Sequence, residues 1–253
     1  MINFFGREIP LYGVCWLLGI VLAGIVACFL LKRAKMDHFD LACSAVFALF
    51  GGIIGSKLMF ITVSLKTILA LKLSFFEVLQ GGFVFYGGLI GGFIGLTIYS
   101  KIFKIKSSVV MDIYAVVLPL GHACGRVGCY LGGCCYGMEY HGPFSVTYSD
   151  EVLNYGTPVG VPLFPVQLLE SALLLVMFAL LIVLYFKTHR AGMCSAVYLY
   201  TYAVTRFVLE YFRGDKERGS FLALSTSQII SLLIVIAVTV VIAVNRKRQK
   251  AAE

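Results

Sequence analysis

Leu11-Tyr-Gly-Val-Cys-Trp-Leu-Leu-Gly-Ile-Val-Leu-Ala-Gly-Ile-Val-Ala-Cys-Phe-Leu-Leu31 runs without a charge and is closed by Lys32 and Arg33. A helix of about 20 apolar residues is what crosses a hydrocarbon core of about 30 Å. Barrel strands are about half that length. Comparable runs recur along the chain, giving seven candidate spans near residues 11–31, 41–63, 83–100, 109–121, 166–186, 193–212 and 228–244. Hydrophobic residues make up 60% of the 253 and charged ones 13%, against roughly 25% charged in soluble domains. That apolar excess is too large for one core and has to face lipid, where only helices or closed barrels satisfy the backbone. The expected fold is all-α: a polytopic membrane protein with seven transmembrane helices in one integral domain over residues 1–253, plus a small extracytoplasmic head at 138–165. The first run is too long for a signal-peptide core and lacks a basic flank before it, so it reads as a retained helix.

The net charge of +8 is distributed by loop. Lys32, Arg33, Lys35, Lys101, Lys104, Lys106, Lys187, Arg190, Arg246, Lys247, Arg248 and Lys250 fall on one side of the seven spans, twelve in all. Arg7, Lys66, Lys72, Arg126, Arg213, Lys216 and Arg218, seven in all, fall on the other. The positive-inside bias makes the first set cytoplasmic. The N-terminus is then outside and the C-terminus inside, and the basic clusters anchor topology rather than bind nucleic acid. On the outer face, residues 64–82 read as an amphipathic interfacial segment. Residues 138–165 turn polar, with His141, Ser145, Asp150, Glu151 and Asn154, and are too few to hold a core of their own.

Between the fourth span and that head lies Gly121-His-Ala-Cys-Gly-Arg-Val-Gly-Cys-Tyr-Leu-Gly-Gly-Cys-Cys-Tyr-Gly137, with six glycines, four cysteines and Arg126. It reads as a loop fed by a short, tilted or partly unwound span. Glycine lets backbone approach a ligand closely, and arginine presents a planar fork suited to phosphate. In so apolar a chain the stretch points to an enzyme that handles an anionic lipid headgroup. Cys124, Cys129, Cys134 and Cys135 are separated by four, four and zero residues, which does not match the two-to-four-residue pairs of zinc knuckles. A disulfide, zinc and unpaired packing are the alternatives; packing is the expectation, with no metal and no cofactor.

Charge inside a span is costly and usually functional. Arg206 and Glu210 fall at i, i+4 on one helical face, as a structural pair or as a phosphate-facing arginine oriented by its carboxylate. Pro165 starts the fifth span, with Gln167 and Glu170 following at i, i+3; Glu170 also suits the electrostatics of a helix start. Gly87, Gly88, Gly91 and Gly92 recur at spacing four and predict close helix packing, leaving Tyr86 to face a cavity. Lys57 lies near the outer end of its span, where it can snorkel outward.

Taken in order, these pieces resemble the bacterial prolipoprotein diacylglyceryl transferases over nearly the whole length. Pro10-Leu-Tyr-Gly13 is similar to the family's first-span motif, and Phe85-Tyr-Gly-Gly-Leu-Ile-Gly91 to its His-Gly-Gly-Leu motif. Gly125-Arg-Val-Gly128 resembles the signature arginine loop. Residues 165–170 resemble the Pro-Ser-Gln-Leu-Tyr-Glu segment, and 206–213 the late arginine helix. The resemblance implies transfer of a diacylglyceryl group from phosphatidylglycerol to the lipobox cysteine thiol of a prolipoprotein signal peptide, releasing glycerol phosphate, in the plasma membrane with the site toward the outer leaflet. It implies that Arg126 holds the donor phosphate, and that Arg206 assists the leaving phosphate or attacking thiol with Glu210 positioning it. Tyr86 joins them as catalytic, while Tyr12, Gly87, Gly128, Gly137, Gln167 and Glu170 line the site. The chain departs from the family at Tyr86, Cys129 and Cys134, where histidine, asparagine and an acidic residue are usual. Those departures leave the proton acceptor unassigned and favour, as rivals, a homologue with another acceptor or a non-catalytic phospholipid-binding protein. A thiol-redox membrane protein built on Cys129, Cys134 and Cys135 is a further alternative.

Overall fold

A computed structural model describes residues 2–4, 7–9, 11–72, 74–149, 157–188, 190–215, 220–221 and 224–250, with backbone alone at 2–4, 7–9, 66, 85, 220–221 and 245–250. Of the residues weighed above, Pro10, Asp150, Glu151, Asn154, Lys216 and Arg218 lie outside these segments. The elements in order are strands β1 (Ile2–Phe4) and β2 (Arg7–Ile9), then helices α1 (Leu11–Ala34), α2 (His38–Ala70), α3 (Phe75–Gln80), α4 (Phe85–Ile102) and α5 (Ser107–Leu131). Strands β3 (Val146–Thr147) and β4 (Pro162–Leu163), helices α6 (Val166–Lys187) and α7 (Met193–Leu209), strands β5 (Ser220–Phe221) and β6 (Leu224–Ser225) and helix α8 (Thr226–Lys250) follow. The chain is mostly helical, and among the described residues five helical stretches are long and apolar enough to cross a membrane: Leu11–Ala34, His38–Leu65, Ser107–Leu131, Val166–Lys187 and Thr226–Val244. Helices α4 and α7, of 18 and 17 residues, occupy the expected segments 83–100 and 193–212. The chain divides into two compact units, Ala27–Ile113 and the combination of Met1–Val26 with Tyr114–Glu253.

In the Ala27–Ile113 unit, α2 opens on a capping box: the Asp37 carboxylate accepts from the Asp40 N–H at 2.7 Å, and Asp40 accepts from Asp37 N–H at 3.1 Å. Asp40 also accepts from the hydroxyl of fully buried Tyr99 on α4, at 2.8 Å. The two helices meet along a seam of small residues. A Cβ on Gly51 would land on the Gly91 carbonyl, and one on Gly55 on the Gly87 carbonyl, so glycine is what lets the backbones touch, as the spacing-four pattern predicts. The interfacial reading of residues 64–82 needs revision. Helix α2 runs on to Ala70, and only the six residues of α3 form a separate piece, capped by Ser74 and Glu77. Lys57 does not snorkel freely: its ammonium donates to the Gly81 and Gly82 carbonyls at 2.9 and 3.1 Å and lies 4.1 Å from the Phe83 ring centroid.

In the other unit, the glycine-rich stretch is corrected from loop to helix. Helix α5 continues through Gly121, Gly125, Arg126 and Gly128 to Leu131. The reason is packing. At about 100° per residue, Gly121, Gly125, Gly128 and Gly132 fall on one face, and that face lies on α1. A Cβ on Gly19 would come 2.8 Å from the Gly121 carbonyl oxygen, and one on Gly128 3.1 Å from Cys15 Cβ and 3.2 Å from the Tyr12 carbonyl oxygen. Close helix contact offsets the low helix propensity of glycine. The face carrying His122, Arg126 and Cys129 lies about 100° round the cylinder from those glycines.

Candidate active site

Beyond α5 the backbone forms a short ladder that gathers three helix ends. Strand β3 pairs with β4; Phe164 N–H donates to the Met138 carbonyl and Met138 N–H to the Phe212 carbonyl, each at 2.9 Å. Gly214 N–H donates to Tyr136 at 3.1 Å. The exit of α5, the entry of α6 and the exit of α7 are thereby tied to one strip of chain. Gly137 bridges Arg213 within it, and a Cβ there would strike the Phe164 carbonyl.

Three arginines lie at these ends, each paired with a carboxylate. Arg126 Nη2 on α5 is 3.0 Å from Glu170 Oε1 on α6, with side-chain exposures of 13% and 1%. The same oxygen is 3.8 Å from His122 Nε2. Arg206 Nη2 on α7 is 2.6 Å from Glu210 Oε2 and donates to the Ser227 hydroxyl of α8 at 3.1 Å. Arg213 grips Asp215 with two parallel bonds of 2.9 and 2.8 Å, the fork geometry of a strong pair. Arg126 Nε and Arg206 Nη1 are buried without a hydrogen-bond partner among the described residues. Burying a donor unsatisfied is costly; here each arginine is held by its carboxylate while keeping a donor to offer. His122 lies within electrostatic range of Arg126, Glu170 and Arg206, and its ring meets Tyr202 edge-on at 5.5 Å.

The buried stripe of α6 explains why Glu170 is where it is. Val166, Gln167, Glu170, Ser171, Leu174, Met177, Leu181 and Tyr185 are its buried residues, a helical face that is polar at the end near the ladder and apolar beyond. Gln167 donates to the Cys134 carbonyl at 2.9 Å, and Ser171 to the Ala123 carbonyl at 3.1 Å. Gln167 therefore holds the chain after α5, whatever else it touches. Tyr12, on the first turn of α1, is within electrostatic range of Cys129, Cys134, Cys135 and Arg126.

The structure thus brings together Arg126, Arg206, Glu210, Gln167, Glu170, Gly137, Gly128 and Tyr12 in one unit. It places Tyr86 half-buried on the first turn of α4 and Gly87 in the seam with α2, both in the Ala27–Ile113 unit. Sequence reasoning missed His122, Tyr202, Ser227 and the Arg213–Asp215 pair. His122 could have been found, because it lies one helical turn before Arg126 once the stretch is read as helix. Cys129, Cys134 and Cys135, grouped in the sequence only as a thiol-redox alternative and otherwise expected to pack unpaired, converge: their sulfurs all lie within 4.8 Å of one another. The Cys135 thiol is held well below its usual range by hydrogen bonds from Cys129 and Cys134, with the Arg213 cation adding to the effect.

A profile of the prolipoprotein diacylglyceryl transferases matches residues 1–244. The chain belongs to that family. Among relatives, a phosphatidylglycerol–prolipoprotein diacylglyceryl transferase 2 of Clostridium perfringens is 33% identical over 250 residues, spanning 96% of this chain and 94% of its own. The Clostridium tetani transferase is 31% identical, over 99% of this chain and 98% of its own. That of Dehalococcoides mccartyi is 30% identical, over 96% and 91%.

Proposed function

We propose that the protein transfers a diacylglyceryl group from phosphatidylglycerol to the lipobox cysteine of prolipoproteins, releasing glycerol phosphate. The observation that carries this reading is the pair of buried arginines, Arg126 and Arg206, each anchored by a carboxylate and each retaining a buried donor with no hydrogen-bond partner among the described residues. A phosphodiester is an anion whose oxygens accept such donors. In the reaction the thiolate sulfur bonds to the glyceryl carbon of the diacylglyceryl group, the bond from that carbon to the phosphoester oxygen breaks, and glycerol phosphate leaves with the electron pair. The thiol proton is surrendered beforehand, since the thiolate is the nucleophile. Fixed cations in a dry site stabilise the charge that grows on the leaving phosphate. Arg126 binds the donor phosphate, and Arg206, positioned by Glu210, assists at the leaving oxygen or the attacking sulfur. Tyr12, Gly128, Gly137, Gln167 and Glu170 line the site, and the family resemblance alone assigns Tyr86 a hydrogen-bonding role and Gly87 a lining one.

The setting that fits this chemistry is a bacterial plasma membrane crossed seven times. The N-terminus and the 138–165 head are outside, the basic loops and C-terminus are cytoplasmic, and the site lies toward the outer leaflet. Lipid and signal peptide are the partners; nucleic acid is not. The test is mass spectrometry of a lipobox-cysteine peptide incubated with purified protein and phosphatidylglycerol. A diacylglyceryl adduct that disappears with Arg126→Ala is expected. Lack of an adduct from folded, lipid-bound protein would overturn the acceptor, and an adduct undiminished in Arg126→Ala would overturn the role of that arginine.

A further inference from the structure

The end of α5 folds back on itself. Cys134 N–H donates to the Cys129 carbonyl at 3.0 Å and Gly133 N–H to the Tyr130 carbonyl at 3.3 Å, with Gly133 at φ +68°. This is the Schellman pattern of a helix C-terminus, in which glycine takes the left-handed conformation and the next residue turns back over the last helical turn. Cys134 is thereby returned toward Cys129. Cys135 follows with φ +60°, a conformation that costs a residue with a side chain and persists only where surroundings enforce it. The enforcement is visible: Gln167, 2% exposed, donates to the Cys134 carbonyl, and buried Thr157 donates to the Gly133 carbonyl. The result is one buried thiol and two half-buried ones with all three sulfurs within 4.8 Å of each other.

We propose that Cys129, Cys134 and Cys135 form a binding site for a thiophilic d10 cation, zinc(II) or copper(I). Zinc–sulfur bonds of about 2.3 Å set tetrahedral sulfurs about 3.8 Å apart, so the three ligands need to close by less than about 1 Å. Soft thiolates select these ions over magnesium or calcium. Binding releases the thiol protons to solvent and changes no oxidation state. Three thiolates around a divalent ion carry one excess negative charge, and Arg213 beside Cys135 and Arg126 within range of Cys129 offset it. Three protein ligands leave zinc a fourth position for water or an added thiol; copper(I) is satisfied by the three. Occupancy clamps the turn of α5 just after Arg126 to the strip whose Gly137 bridges Arg213.

The inference stands independently of the transferase reading, and its test reads metal rather than activity. Protein purified in reductant and stripped with chelator is titrated with zinc(II), and separately with copper(I), against a chromophoric competitor. Cobalt(II) is then used as a spectroscopic probe. One ion per chain is expected, with a sulfur-to-cobalt charge-transfer band of three-thiolate intensity that grows on adding a small thiol if the fourth position is open. Cys135→Ser and Cys129→Ser weaken binding at least 100-fold, whereas Cys28→Ser, on exposed α1 surface, leaves it unchanged. If a serine variant fails to fold, the cobalt spectrum of the parent protein decides alone. The proposal is overturned by substoichiometric binding, by a cobalt spectrum without thiolate bands, or by affinity unchanged in both serine variants. It is equally overturned if Cys129 is found in a disulfide with Cys134 or Cys135 in protein isolated without reductant, and the reduced protein takes up no ion.

Discussion

The Arg126–Glu170 pair separates structural from functional charge if both partners are replaced by apolar residues, Arg126→Met and Glu170→Leu, singly and together. At 3.0 Å and an effective dielectric of about 20, the two charges attract by roughly 5 kcal/mol. With side chains 13% and 1% exposed, desolvation cancels most of that gain. Removing one partner strands the other charge and costs about 3–5 kcal/mol. Removing both deletes the attraction and the desolvation penalty together, so the double variant should return to within about 1 kcal/mol of the parent. Thermal denaturation of the purified protein in a zwitterionic detergent reads this as a large fall in melting temperature for each single variant and a recovery in the double. Diacylglyceryl transfer to a lipobox peptide, measured on the same samples, should be lost in all three. A double variant whose losses add would show that the two residues do not interact as drawn. One that is stable and active would show that Arg126 is there to pack and not to bind phosphate.

Replacing Arg206 by lysine keeps the charge but cannot serve Glu210 and Ser227 in one plane. Lysine can keep the Glu210 charge pair but has no second guanidinium donor for the phosphate; losing one charge-assisted bond of about 1.5–3 kcal/mol in the transition state predicts a fall of about 10- to 100-fold in transfer rate, larger than any accompanying loss of stability. Gly19→Leu forces a side chain onto the Gly121 carbonyl and should destabilise by about 1–3 kcal/mol, while Gly24→Ala on the same helix, with open space around it, should not; paired thermal melts distinguish them. Tyr148 donates to the Tyr130 carbonyl, and burial, with Tyr130 nearby, pushes its pKa from 10.0 up to about 12. The unfolded chain therefore ionises first, and this contribution to stability is complete below about pH 10 and lost as pH rises toward 12, at up to about 1.4 kcal/mol per unit. Tyr148→Phe should flatten that alkaline slope in melts run from pH 9 to 12.

The apolar runs made the helices legible, because length and lack of charge act locally and no tertiary partner is needed to read them. Arg206–Glu210 and the α2–α4 glycine seam were legible for the same reason: each is a spacing of four on a single helix. The stretch from Gly121 to Gly137 was misread because glycine content was weighed before glycine position. Gaps of four, three and four between Gly121, Gly125, Gly128 and Gly132 describe a helix face, and that arithmetic is in the sequence. Which helix the face meets is not, since Gly19 of α1 comes more than a hundred residues earlier. The thiol cluster is harder still. Gaps of four and zero do not match the knuckle pattern when counted along a strand or a loop, and they become a site only when a left-handed Gly133 reverses the chain at the end of α5. Thr157 and Gln167, the residues that hold the reversal, come from within the head and from just beyond it. Counting residues therefore weighs against a metal at the one place where the fold sets three sulfurs within 4.8 Å of one another, so cysteine spacing carries information about metals only after the helix that ends between the cysteines has been located.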